Sequence, residues 1–68
     1  MINNYNELNN EINMLDGNIN RMCLVDNMKE LDYMYQFALL RIKKIYEYNL
    51  NRVLDKVDKE FRQNNSFI

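Results

Sequence analysis

The chain is 68 residues long, too short for more than one domain, and domains of this size need support beyond their own core: disulfides, a metal, oligomerisation or very regular helix packing. A single cysteine excludes an internal disulfide, and with no histidine beside it structural zinc has no ligand set. A hydrophobic fraction of 47% is too high for a disordered chain, and a net charge of −1 gives no overall pull toward nucleic acid or acidic membranes.

The first element is a helix over about residues 3–22. Its apolar positions are Tyr5, Leu8, Ile12, Leu15, Ile19 and Met22, with steps of three and four that repeat as a heptad. Asparagine crowds the polar positions, seven of thirteen falling in the first eighteen residues. Asparagine is a mediocre helix former, so this helix is expected to depend on packing. Gly17 is a soft spot, but it falls on the solvent side and the stripe continues in phase through Ile19, so the helix is expected to run through it. Cys23 to Asn27 form the connection. Cys23 lies between Met22 and Leu24 and reads as a small buried hydrophobe. Asp26 or Asn27 can cap the next helix, and Asn27-Met28-Lys29-Glu30 has capping-box spacing. So short a connection returns the chain antiparallel.

The second element, about residues 27–62, dominates the chain. Apolar positions recur at helical steps through Leu31, Met34/Tyr35, Ala38, Ile42, Ile45/Tyr46, Asn49/Leu50, Val53, Val57 and Phe61, without a proline or glycine. Tyr33 to Leu40 carries bulky groups nearly all round, the pattern of a helix with more than one neighbour. The length mismatch leaves roughly 20 Å of the second helix beyond the reach of the first. Asp55–Lys59, Lys56–Glu60 and Asp58–Arg62 are opposite charges at i,i+4 on its outer side, and residues 63–68 are expected to fray, with Phe67 and Ile68 as a small apolar tip. The expected fold is all-α: one helical hairpin over residues 1–68, assembled into a homo-oligomeric bundle. Its interface is expected at Phe37, Leu40, Asn49, Leu50, Val53, Leu54, Val57 and Phe61. Asn49 is either a buried residue that fixes register or a border residue beside Leu50.

Charge divides unevenly along the chain. Residues 1–28 carry four acidic groups and Arg21, for −3; residues 29–68 carry eight basic and six acidic groups, for +2. Acidic first and basic second arms favour antiparallel contact. Arg41, Lys44, Tyr48 and Arg52 are spaced three, four and four, and line one polar face of the second helix. Two guanidinium groups flanking a tyrosine can hold a phosphate, a carboxylate or a nucleotide base. The same face can equally be paired with the acidic first helix. Double-stranded DNA is a poor match, with Glu47 set among few basic groups. No histidine, Gly-rich loop or cofactor motif is present, so neither an enzyme nor a cofactor or metal is expected.

Two stretches resemble known families. Leu8 to Ile19 is similar to the first helix of helical chorismate mutases, but Asn stands where that helix has an arginine, and the family needs a longer chain; the resemblance is set aside. Lys29-Glu30-Leu31-Asp32 is similar to the Gln-Glu-Leu-Asp part of the signature of Spo0E-like aspartyl-phosphate phosphatases, which are also small helical hairpins; the serine of that motif is replaced by Met28. That resemblance implies dephosphorylation of a response regulator through Asp32. Richness in Asn, Ile, Lys and Tyr resembles AT-rich coding, as in low-GC bacteria and their phages. The longest apolar run, Phe37 to Leu40, is far short of a membrane span and no basic-then-apolar leader is visible, so a cytoplasmic protein is expected. These features lead to a protein-interaction module, of the kind that inhibits or regulates a host protein; the alternative is an oligomer that binds a nucleotide or other small anion.

Overall fold

The computed structural model describes residues 1–65, with side chains described through Phe61. Among them are two helices and no strand: α1 spans Tyr5–Met22 and α2 spans Met28–Asn65. The helices form an antiparallel hairpin. Glu11 of α1 meets Arg41 of α2, and Asn18, farther along α1, meets Met34, farther back on α2. α2 runs through Gln63, Asn64 and Asn65, past the end expected from propensity; Phe67 and Ile68 lie outside the described residues.

Local chemistry sets the helix starts. The Asn4 side chain accepts from the backbone N–H of Glu7 at 2.9 Å, and the Glu7 carboxylate accepts from the backbone N–H of Asn3 at 2.7 Å, so two backbone donors at the start of α1 are satisfied reciprocally. At α2 the Asn27 side chain accepts from the backbone N–H of Glu30 at 2.9 Å, and Glu30 places a negative charge in the first turn. α1 is continuous through Gly17, where an added Cβ would meet nothing within 4 Å.

Cys23 is exposed, which corrects the buried reading. It caps the C-terminus of α1, with its backbone N–H donating to the Asn20 carbonyl at 3.2 Å. The chain turns away from the helix–helix contact there, and Leu24 beside it is exposed as well. Apolar neighbours in sequence do not bury a residue at the tip of a hairpin.

The interior is very small. Among the described residues, only Ile2, Leu8 and Ala38 are buried hydrophobics. The row Leu8, Leu15 and Met22 faces α2, and Met34, Ala38 and Ile45 face α1. Ala38 sits where the helices need the least side-chain bulk between them. The accessible surface is 5898 Å², against about 4600 Å² for a compact chain of this mass. The radius of gyration is 17.5 Å, against about 11 Å for a compact chain of this length. Both differences come from the shape, a rod with extents of 62 × 21 × 17 Å. No helix among the described residues is long and apolar enough to cross a membrane.

Candidate functional site: a clamped polar edge and an open apolar edge

Viewed down its length, the hairpin has two edges of opposite character. On one, the Arg41 guanidinium donates through Nε to Asn18 Oδ1 at 2.8 Å and through Nη1 to Glu11 Oε2 at 3.0 Å. The same Nη1 lies 3.4 Å from Met14 Sδ, and Lys44 Nζ stands 3.9 Å from Glu11 Oε1. The Arg41 and Glu11 side chains are only 20% and 17% exposed, so the pair is largely withdrawn from water. Five residues from α1 and α2 thus clamp this edge along the middle of the hairpin.

The expected anion-binding group is therefore divided in space. Arg41 and Lys44 point their charge at Glu11, and a ligand there would have to displace a carboxylate already in place. Tyr48 is half-buried, and Arg52 is exposed with Nε 3.4 Å from Asn49 Oδ1. Both border a shallow depression completed by Met1, Ile2 and Asn3, so the N-terminal residues occupy ground beside them. Asn49 turns back on its own helix, donating to the Ile45 carbonyl at 2.9 Å, which satisfies its amide locally. Lys29 to Asp32 form the first turn of α2, with Asp32 on the rim of a depression of about 580 Å³ walled by Met22, Met28, Leu31 and Tyr35. Among the described residues no cluster of three metal-ligating side chains occurs.

Among the described residues, the opposite edge carries no such clamp. Helical periodicity places Tyr5, Ile12 and Ile19 on it, one heptad apart, while the interleaved row Leu8, Leu15 and Met22 is spent against α2. All three stay exposed. Beside them runs a stripe on α2 with an 11-residue period. Met28, Leu39, Leu50 and Phe61 form one series, Leu31, Ile42 and Val53 a second, and Tyr35, Tyr46 and Val57 a third. Steps of three, four and four average 3.67 residues per turn, close to the 3.6 of the α-helix, so the stripe runs almost parallel to the axis. Every one of these ten residues is at least 37% exposed.

Of the residues expected at an interface, Leu50, Val53, Val57 and Phe61 lie on this stripe, and Leu54 widens it at its far end. Phe37 and Leu40 are exposed on the other side of α2, toward Lys44. A heptad template reads the sequence as slipping at Asn49/Leu50; the 11-residue spacing removes the slip, and it also recruits Leu39. Compared with protein-family models, curated protein sequences and solved structures, the chain matches none.

Proposed function

We propose that the chain is a non-enzymatic helical interaction module that works by self-association through its apolar edge. The observation that carries this reading is the uninterrupted stripe of ten exposed apolar residues along α2, set against three buried ones among the described residues. A patch of that length is a liability on a protein that acts alone, and a binding surface on one that does not. The accessible surface exceeds that of a compact chain by on the order of 1300 Å², whereas a standard interface removes about 800 Å² from each partner. The chain thus carries enough surplus surface for one full interface.

The test is absolute mass by light scattering after size exclusion, over a dilution series. The expected result is a species at a multiple of 8.4 kDa that persists to low micromolar concentration. Ile42→Glu, in the middle of the stripe, should dissociate it. A particle of 8.4 kDa at every concentration, with its helix content intact, would overturn the proposal.

A further inference from the structure

We propose that the occupant of the apolar edge is a second copy of the chain, paired antiparallel, α2 along α2 over nearly its full length, so that the α1 of each copy covers the overhang of the other. This rests on the self-association proposed above and specifies its geometry.

Three observations converge on it. The first is the extent of the stripe. It begins at Met28 and ends at Phe61, running unbroken beside the part of α2 that α1 covers and on along the part it does not. Its occupant must be a straight apolar rod of about 50 Å, at 1.5 Å per residue. α2 of a second copy is such a rod, with the same period, and an 11-residue repeat keeps two such stripes in register with little supercoiling.

The second is a match of lengths. α1 has 18 residues and α2 has 38, so two α1 helices laid end to end span 36 residues, nearly the length of one α2. In an antiparallel pair the two α1 helices stand at opposite ends of the rod and meet near its middle. Every level then has three helices in section. A parallel pair would put both α1 helices at one end and leave the other as two helices with bare flanks.

The third is what the edges offer. Tyr5, Ile12 and Ile19 lie on the same side of the hairpin as the α2 stripe, placed to touch a partner α2 seated there. The row of α2 that faces α1 continues past Asn49 as Arg52, Lys56 and Lys59. That stretch has no α1 of its own beside it, and the antiparallel pair brings one.

Cys23 supplies the test without mutation, because it is the only cysteine, it is exposed, and it marks the hairpin tip. Each chain is labelled there with a nitroxide and the distance between labels is measured by pulsed dipolar spectroscopy on the associated protein. Full-length antiparallel pairing predicts about 50–60 Å, from the rise of the helix between the two tips. Hairpin-on-hairpin antiparallel packing with both overhangs free predicts about 30 Å, and a parallel pair under about 25 Å. Either shorter distance overturns this geometry and leaves self-association standing. Absence of any dipolar modulation, together with a mass of 8.4 kDa, overturns both.

Discussion

Replacing Arg41 by methionine keeps most of the aliphatic stem and removes the charge and its donors. It therefore isolates the polar clamp from packing. The substitution deletes the 2.8 Å bond to Asn18 and the 3.0 Å bond to Glu11, and leaves Glu11 with only Lys44 at 3.9 Å. Fully exposed ion pairs contribute about 0.2–1 kcal/mol, whereas hydrogen bonds to charged groups shielded from water contribute about 1.5–3. With both side chains no more than one-fifth exposed, the clamp lies toward the second range, and a loss of about 2 kcal/mol is expected. In a domain of this size that lowers Tm by roughly 8–16 °C. The assay is thermal unfolding followed by far-ultraviolet circular dichroism, at fixed chain concentration because the proposed association would make Tm concentration-dependent. A double-mutant cycle with Glu11→Gln should return a coupling of about 1 kcal/mol. A Tm within about 2 °C of the parent protein would refute the reasoning. If the Arg41 side chain serves an anionic ligand instead, Arg41→Met should leave the unliganded Tm alone and abolish a shift produced by ATP.

Other substitutions bear on separate parts of the structure. Gly17→Ala should raise stability by about 0.5–1 kcal/mol, since the position is helical and the new methyl meets nothing; a fall in Tm would show that α1 breaks there. Asn27→Ala should cost about 1 kcal/mol by removing the cap on Glu30, with Asn27→Asp restoring most of it; urea unfolding at constant m-value reads both. Asp55→Ala should change Tm by less than about 2 °C, because the Asp55–Lys59 pair at 3.3 Å is mostly exposed on both sides. Cys23 should react with a thiol reagent in the folded protein as fast as in urea; slow reaction reversed by denaturant would place it inside an interface.

What could be read from the sequence followed the range of the interaction concerned. Two helices, their hairpin and the Asn27 cap are local matters, decided by residues within four positions of one another. The clamp was legible only as a charge imbalance between halves. That Arg41, rather than another basic residue, meets Glu11 depends on the register between the two helices, which brings together residues thirty apart in sequence. Cys23 was misplaced because its neighbours Met22 and Leu24 are apolar, while its burial is decided by where the chain turns. The α2 stripe was present in the sequence, but a seven-residue template matches it only in part. Tyr5, Ile12 and Ile19 could not be separated from Leu8, Leu15 and Met22 until the hairpin showed which row faces inward.

The interior of three residues has a consequence for abundance. Among the described residues the hairpin buries only Ile2, Leu8 and Ala38, so it holds little of its stability within one chain, and an encounter that covers its apolar edge would add to it. Where that encounter is with another copy, the folded population grows with the square of the free chain concentration until it saturates. Dilute chains then spend their time open to proteases and concentrated ones do not. Production rate, rather than any bound effector, would set whether such a protein persists in the cell.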